Sequence, residues 1–333
     1  MGMKLDPKYH ALNSMKWDKP KDHKRAVSGE SFHKARRDAI LKKHPEILEL
    51  YGTNKRLILI GLGMVVFMWL AAWYFSQCSN WLYWSTMYLI GGAVTHDLMI
   101  VFHASGHGHV FKNELAADLF SIFCNFGQGI PSAIAFKRYH YDHHIYLGED
   151  ELDPDLPTDW EIKTFRTPLM KTVFLILMVI TYSIRPLIVR PKKPIAIETF
   201  NIISVILVDV LIFYLLGFWP LVYIIGSTVM GMSLHPFAFH FIARHYEFAP
   251  GVETYSYYGW FNFLLLNMGI HVEHHDFPGI PPYNIKRVRE IAPEFYEEII
   301  YHDSYFKLIY QFIFNEEIGL WSRMERPKSI KDD

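Results

Sequence analysis

The chain alternates long apolar runs with polar segments, and two of the runs are long enough to cross a bilayer. The first, 57–75, holds nineteen residues without a charge, and the second, 81–102, is interrupted only by His96 and Asp97. About 20 helical residues, rising about 1.5 Å each, match a hydrocarbon core of about 30 Å. The short uncharged stretch 76–80 predicts the tip of a helical hairpin between the two runs.

A second pair of apolar runs follows in the C-terminal half. Runs 200–217 and 221–234 predict another hairpin, with the Phe-Trp-Pro stretch 218–220 as its turn. From residue 276 the chain is polar, and an amphipathic helical pattern then extends to about residue 314. The second hairpin is therefore the last expected crossing of the membrane.

Two further apolar stretches, 115–136 and 169–184, make poor spans. The first contains polar and turn residues, and the second holds only sixteen residues, with Lys171 among them. We expect both to dip into the membrane or to lie along its interface. The pattern as a whole predicts an all-α fold, a polytopic membrane helical bundle with about four full spans in two hairpins plus two interfacial or re-entrant segments.

Charge predicts the orientation of the bundle, because basic segments stay on the cytosolic side. Segment 1–56 holds 14 Lys and Arg against 7 Asp and Glu, and loop 185–193 is also basic. We therefore expect the N- and C-termini in the cytosol. The predicted domains are a basic cytosolic N-terminal segment at 1–56, a membrane domain at 57–325 and a C-terminal tail at 326–333.

Composition argues against several classes of protein and points to histidine as the residue type to explain. The 33 Lys and Arg balance 34 Asp and Glu, which argues against a nucleic-acid binder. Two cysteines, Cys78 and Cys124, cannot build a disulfide framework or a Cys-based zinc site. The 18 histidines are the unusual feature of a chain that is 51% hydrophobic.

Eight of the histidines form three clusters with helical spacing. One cluster has the spacing i, i+4, and two repeat His-x-x-His-His. Their members are His103 and His107; His140, His143 and His144; and His271, His274 and His275. Residues at these offsets lie on one face of a helix, where imidazoles can converge on a metal ion. The charge-based orientation places all three clusters in a histidine-rich cap on the cytosolic face.

Other histidines need separate interpretation. A lone histidine on an apolar face is usually a hydrogen-bonded core residue, and we interpret His96 and His302 in this way. The polar N-terminal segment predicts solvent exposure for its four histidines, which are His10, His23, His33 and His44. A fourth group after the second hairpin could add a ninth ligand; its members are His235, His240 and His245.

Eight or nine imidazoles exceed the needs of one ion and fit two ions with four or five ligands each. Neutral imidazole binds iron, zinc, copper or nickel. Structural zinc sites are usually closed with cysteine, and catalytic zinc uses three protein ligands. An all-nitrogen site for two metals beside a membrane favours iron that handles O2.

Longer motifs around the clusters resemble a known family. They are FKRYHYDHHIYLG at 136–148, PTD at 157–159, ETYSYYG at 253–259 and NMGIHVEHHDFP at 267–278. With them the chain resembles the membrane fatty-acyl desaturase/hydroxylase superfamily and, within it, the sphingolipid Δ4-desaturases, from about residue 43 to 324. The histidine clusters resemble the histidine boxes of that superfamily, and we call them boxes below.

The resemblance implies a multi-pass enzyme of the endoplasmic reticulum with two iron ions. It implies O2-dependent insertion of a trans C4–C5 double bond into dihydroceramide, within membrane lipids. Electrons would come from cytochrome b5 and its NADH-dependent reductase. The eight box histidines are the predicted ligands; His245 is the first choice for a ninth, because a His-Tyr pair at a helix end recurs in related membrane oxygenases, and His240 is the second.

One departure from the family concerns the first box, which normally reads His-Glu-x-x-His-Asn. Here Ala104 and Gly108 replace the Glu and the Asn, although both ligand positions are kept. Partners that orient ligand imidazoles typically contribute tenfold or more to metal affinity or activity. Asp97 and Glu114 are candidates to substitute for the missing carboxylate.

Alternatives remain open from the sequence. The same site could hydroxylate C4, alone or as a second activity, or could desaturate a fatty acyl chain. A zinc metallohydrolase would need a general base where Ala104 stands. A metal transporter would place its ligands near the bilayer midplane, whereas these clusters follow the ends of apolar runs.

Overall fold

The computed structural model describes residues 25–26 and 31–328. His10 and His23 lie outside the described residues. The helices are α1 (Phe32–Lys43), α2 (Arg56–Phe75), α3 (Asn80–Thr86), α4 (Gly92–Gly106), α5 (Glu114–Asn125), α6 (Ala133–Ile145), α7 (Asp159–Thr164), α8 (Pro168–Ile176), α9 (Met178–Val189), α10 (Ala196–Leu216), α11 (Phe218–Gly231), α12 (Phe239–His245), α13 (His271–Asp276), α14 (Lys286–Ile291) and α15 (Tyr305–Phe314). The two described strands, β1 (Arg25–Ala26) and β2 (Met324–Glu325), pair in parallel. The all-α prediction is confirmed.

The first predicted hairpin is present. Helix α2 covers the first apolar run, and α3 and α4 join through a π-helical turn at Met87–Gly91 into one helix of 27 residues. The backbone N–H of Asn54 donates to the carbonyl of His109 at 2.6 Å, so the two ends of the hairpin opposite its tip lie together. This contact brings the residues just after the first histidine box beside the start of α2.

The second hairpin has its turn one residue earlier than predicted. Helix α10 ends at Leu216, Gly217 adopts a φ of +100°, and α11 begins at Phe218. The interpretation of 218–220 as a turn is wrong, because Pro220 lies in the first helical turn, where its missing N–H breaks no hydrogen bond. Glycine alone adopts the required positive φ without strain.

Three helices are long and apolar enough to cross a membrane, namely Arg56–Phe75, Asn80–Gly106 and Ala196–Leu216. The number rises to five if each of two bent helix pairs counts as one span. One pair joins α11 to Pro236–His245 at 42°, and the other joins α8 to α9 at 82°. The sharp bend falls inside the apolar stretch 169–184, which we expected to be a poor span.

The stretch 115–136 is broken in the middle. Helix α5 ends at Asn125, and α6 begins at Ala133 after a turn in which Gly129 has a φ of +65°. The buried Asn125 amide spans the break, accepting from the N–H of Ala133 and donating to Gln128. This turn reverses the chain and directs the second histidine box towards the first.

The N-terminal segment packs against the third histidine box. Ile40, Ile47 and Leu50 join Val272 and Phe277 in a separate hydrophobic cluster. His33 is buried in this interface, so the prediction that it is solvent-exposed is wrong. The polarity of residues 1–56 concealed this contact, because its partner lies more than 200 residues away.

The C-terminal amphipathic pattern forms separate pieces. Helix α14 ends at Ile291, a 3₁₀ turn follows at Pro293–Phe295, and α15 begins only at Tyr305. Pro293 lacks an N–H and disfavours the helical conformation in the residue before it. Helix α15 packs on α8 and α12, which closes the bundle around the site.

Candidate metal centre

The three histidine boxes meet at one end of the bundle. His103 lies in the last turn of α4, and His107 follows directly after that helix. The second box lies in the last turns of α6, and the third forms most of the short helix α13. The predicted helical placement is therefore confirmed for the second and third boxes, and for His103 of the first.

Five imidazoles form a first group, which we call the five-histidine group. Its members are His103, His107, His140, His144 and His274, and one ring nitrogen of each lies within 4.8 Å of the others. The Nε2 of His140 is the hub, at 2.7 Å from Nε2 of His103, 3.1 Å from that of His107 and 2.9 Å from that of His144. The Nε2 of His274 lies 3.2 Å from that of His144.

Four imidazoles form a second group, the four-histidine group. Ring nitrogens of His143, His245 and His275 lie within 4.8 Å of one another. The Nε2 of His245 is 3.1 Å from Nε2 of His143 and 2.9 Å from that of His271, the fourth member. The rings of His144 and His275 stack with centroids 4.3 Å apart, so the two groups are adjacent.

Each His-x-x-His-His box divides between the two groups. In the second box the i and i+4 residues join the five-histidine group and the i+3 residue, His143, joins the other. In the third box His271 and His275 join the four-histidine group, while His274 joins the first. The spacing explains this division, since i and i+4 project in nearly the same direction and i+3 is rotated from both.

Hydrogen bonding alone cannot satisfy these nitrogens. Each Nε2 carries at most one proton, yet the Nε2 of His140 faces three other Nε2 atoms at hydrogen-bond distance. Two ligand nitrogens at right angles around a metal ion, each about 2.1 Å from it, would lie about 3 Å apart. The observed separations have this size, so the donor set fits metal ions.

Burial keeps the imidazoles in the form that binds metal. The pKa values of His144 and His274 lie well below the ordinary value, chiefly because burial disfavours the charged form and then because other histidines crowd them. A neutral imidazole has a free lone pair for a metal ion.

Asp153 supports the four-histidine group, and the sequence analysis missed it. Its Oδ1 lies 2.9 Å from Nδ1 of His143, and its Oδ2 accepts from the N–H of Gly148 at 2.8 Å. Burial opposes ionisation of Asp153, but His143 and Arg323 outweigh it and lower the pKa of the carboxyl. Its position ten residues after a box histidine, in a turn-rich acidic stretch, was the available signal.

The ETYSYYG run fixes the start of the third box. Ser256 Oγ accepts from the N–H groups of His271 and Val272, at 3.0 and 2.9 Å. Ser256 and Tyr258 donate to the buried carboxylate of Glu273, at 2.6 and 2.5 Å. A motif first noted for its resemblance therefore has a structural task, which is to hold α13 in place.

The first box has no comparable support. Glu114 is exposed and pairs with Lys137 at 3.1 Å, and among residues 31–328 neither it nor Asp97 hydrogen-bonds a box histidine. The Nδ1 of His103 is buried without a hydrogen-bond partner in this part of the chain. Neither carboxylate takes the place of the Glu that Ala104 replaces.

The histidines after the second hairpin separate clearly. His245 belongs to the four-histidine group, whereas His240 lies outside both groups. The Nδ1 of His240 lies 2.8 Å from the carbonyl of Phe237 and 3.1 Å from Nε2 of His96. His235 also stays outside, with its Nδ1 accepting from the N–H of Phe237. His96 is a hydrogen-bonded core residue, as expected, since its Nδ1 also faces the carbonyl of Gly231.

A helical membrane bundle with imidazole groups at one end defines a class, the membrane desaturases, and comparison with known proteins agrees. The fatty acid desaturase family model matches residues 79–306, and the sphingolipid Delta4-desaturase (DES) model matches residues 27–56. The chain is therefore a membrane protein of an oxidoreductase family whose histidine clusters are compatible with metal binding.

Individual relatives show which family of membrane desaturases the chain belongs to. The chain is 41% identical to mouse sphingolipid delta(4)-desaturase DES1 over 89% of its length and 92% of the relative. It is also 41% identical to mouse sphingolipid delta(4)-desaturase/C4-monooxygenase DES2, over 92% and 96%. The human protein of that second name matches at 41% over 90% and 94%. The chain belongs to the sphingolipid Δ4-desaturase family.

Proposed function

We propose that this chain is a sphingolipid Δ4-desaturase that introduces a trans C4–C5 double bond into dihydroceramide. The observation that carries the proposal is the pair of imidazole groups, together with the ETYSYYG run that holds the start of the third box. Desaturation removes two hydrogens from the substrate, and two further electrons and two protons complete the reduction of O2 to two waters. Family membership supports the lipid substrate and the use of O2.

Two iron ions are the proposed cofactors, one in each histidine group. Five ligands would come from His103, His107, His140, His144 and His274, and four from His143, His245, His271 and His275. When bound, iron supplies the O2 chemistry that removes hydrogen from an unactivated carbon. His240, which the sequence left as a second choice, is omitted because its nitrogen faces His96 and a backbone carbonyl.

The protein's own part is to hold the imidazoles and to exclude water. His143, His245 and His271 are almost fully buried, as is Asp153 behind them. Rigid placement of reactants lowers the entropic part of the barrier, and a dry site prevents side reactions of O2. The substrate carbon beside the metals must therefore arrive from the lipid phase.

We propose the endoplasmic-reticulum membrane as the location, with both termini in the cytosol. The basic loop after α9 supports this orientation, because Arg190 and Lys192 pair with Asp142 of the second box at 2.6 and 2.5 Å. The positive segments and the histidine groups then share one face. Cytochrome b5 and its NADH-dependent reductase are the proposed electron donors at that face.

C4-hydroxylation is the second candidate, and relatives of equal identity carry C4-monooxygenase in their names. The two outcomes share the first hydrogen removal and differ in whether a second hydrogen leaves or a hydroxyl is added.

Product analysis tests the proposal. The full chain is expressed in a host that lacks sphingolipid Δ4-desaturase activity, dihydroceramide is supplied, and lipids are identified by mass spectrometry. We expect ceramide, lighter than the substrate by two hydrogens, and none from the His143→Ala variant. A product heavier by one oxygen would favour hydroxylation. If neither product forms, the proposal is overturned.

A further inference from the structure

A histidine outside the three boxes makes a built contact with the site. His33, on α1, is buried, with its Nδ1 2.6 Å from Oδ1 of Asp276 and its Nε2 3.0 Å from Oγ1 of Thr254. Its ring lies against that of His275, with centroids 5.0 Å apart. The N-terminal segment thus reaches the four-histidine group through a side chain, in addition to its apolar packing.

The contact continues to a proposed ligand. Thr254 Oγ1 lies 3.4 Å from Nδ1 of His245, whose Nε2 faces His143 and His271. Thr254 and His245 are both about 2% exposed, and Asp276 is fully buried. The sequence Asp276, His33, Thr254, His245 is therefore a buried line of four polar side chains, which we call the relay.

One assignment of protons satisfies every member of the relay. A carboxylate only accepts, so Nδ1 of His33 donates to Asp276; in a neutral His33, Nε2 then accepts from the hydroxyl of Thr254. The oxygen of Thr254 is left to accept from Nδ1–H of His245. His245 consequently keeps the tautomer in which Nε2 has a free lone pair, directed at the other imidazoles of its group.

We propose that His33 and Thr254 are positioning residues that fix the tautomer and orientation of His245 as a metal ligand. The proposal deepens the proposed function and rests on it, because it takes His245 to bind metal. Metal-bound histidines typically donate their other N–H to a fixed partner, and loss of such a partner costs about ten- to a hundredfold in metal affinity or activity. The N-terminal segment then completes the site.

Docking of α1 does not itself require the relay. Ile40 is fully buried in the cluster beneath the helix, and Lys43 and His44 bind Glu294 at its far end. These contacts hold the helix by apolar packing and surface charge. A variant that weakens docking can therefore be separated from one that breaks the relay.

The test is a matched pair at position 254 in the full-length protein, purified in detergent. Thr254→Val removes the hydroxyl at nearly constant shape, whereas Thr254→Ser keeps it. Ferrous iron affinity is measured anaerobically by competition with a chelator, and thermal unfolding is measured on the metal-free protein. We expect Thr254→Val to weaken iron binding by about ten- to a hundredfold while the metal-free protein still unfolds cooperatively at a modestly lower temperature, and Thr254→Ser to bind like the wild type.

His33 supplies a second arm. His33→Leu should weaken iron binding like Thr254→Val, and His33→Gln, which can both donate and accept, should restore part of it. Ile40→Ala is the control for docking and should lower the melting temperature with less effect on iron. If iron affinity stays at the wild-type level in Thr254→Val, or falls equally in Thr254→Ser, the relay is overturned.

The same preparations separate this proposal from the proposed function. A wild-type protein that binds iron through an intact relay but forms neither lipid product would overturn the function and leave the relay standing. If the wild type forms ceramide and the Thr254→Val variant binds iron as tightly as the wild type, the relay is overturned and the proposed function stands.

Discussion

The two histidine groups are built from the same residue type but supported differently. In the four-histidine group, Asp153 holds His143, the Ser256 hydroxyl holds the backbone of His271, and Thr254 faces Nδ1 of His245. In the five-histidine group, Nδ1 of His103 is buried without a partner among residues 31–328, and none of its imidazoles receives a carboxylate contact like that of Asp153. The four-histidine group also has partnerless buried nitrogens among these residues, Nδ1 of His271 and Nε2 of His275. The boxes supply most of the imidazoles. Segments outside the boxes supply their hydrogen-bond partners, chiefly to the four-histidine group.

This difference indicates how the chain accommodates Ala104. The other four imidazoles of the five-histidine group surround His140, so the loss of one orienting carboxylate is spread over many ligands. The smaller group has one imidazole fewer, and it depends on outside partners at His143, at His245 and at the backbone of His271. We therefore expect the four-histidine group to be more sensitive to changes in residues behind the ligands.

The largest expected effect comes from removing a ligand of the four-histidine group. His245→Ala should lower turnover by more than about a hundredfold, above the usual loss for an outer partner, and should reduce bound iron. His240→Ala, on the same helix, is the control; it should cost about 1–3 kcal/mol of stability and leave iron content unchanged. Elemental analysis and lipid product assays check both. Loss of iron in the His240 variant alone would reverse the ligand assignment.

The second-largest expected effect comes from replacing the carboxylate of Asp153. Asp153→Asn should lower iron affinity by about ten- to a hundredfold, because His143 loses the carboxylate that orients it. Chelator competition measures the change. Asp155→Asn is the matched control, since Asp155 pairs with Arg323 at 2.7 Å and touches no histidine of either group in the described structure. Equal losses in the two variants would show that the charge network, and not the contact with His143, matters.

The first box should respond little to its nearby carboxylates. Glu114→Gln removes an exposed partner of Lys137 and should leave iron content and turnover close to wild type. Asp97→Asn should likewise leave iron content unchanged. The measurement is iron per chain in the purified variants. A clear loss of iron in either variant would mean that the five-histidine group has carboxylate support after all.

The smallest effect lies at the far end of α1. The hydrogen bond to Glu294 raises the pKa of His44 from 6.5, and the same contact lowers that of Glu294 to about 2. The contribution of His44 is full below pH 6.5 and is lost as pH rises through its raised pKa, while that of Glu294 is present above 4.5 and is lost as pH falls towards 2. Glu294 is exposed and His44 lies at the surface, partly covered, so the gain is slight.

Thermal unfolding of wild type and His44→Ala across this range checks the prediction. The difference in melting temperature should be greatest between about pH 4.5 and 6.5 and should shrink at alkaline pH. A difference that grows as pH rises would contradict the sign worked out above.

Sequence predicted the parts of this molecule that depend on local periodicity. The apolar runs gave α2 and α10 within a few residues, and the His-x-x-His-His spacing placed imidazoles on shared helix faces. The split of each box between two groups was not foreseen, because it depends on how α6 and α13 face each other. The choice of His245 over His240 depends on the same packing.

Other features were hidden because their partners are remote in the chain. His33 and Asp276 are 243 residues apart, and nothing in a basic N-terminal segment indicates a buried contact with a histidine box. The turn at Gly217 was misplaced because the Phe-Trp-Pro stretch 218–220 was interpreted as the turn, although proline is tolerated in a first helical turn.

Metal analysis of the purified full-length protein tests the central claim most directly. Protein from a preparation that converts dihydroceramide is analysed for iron and zinc per chain, beside the His143→Ala variant. Two separately held imidazole groups predict about two irons in the wild type and fewer in the variant. Zinc without iron, or full iron content in the His143 variant, would contradict the account.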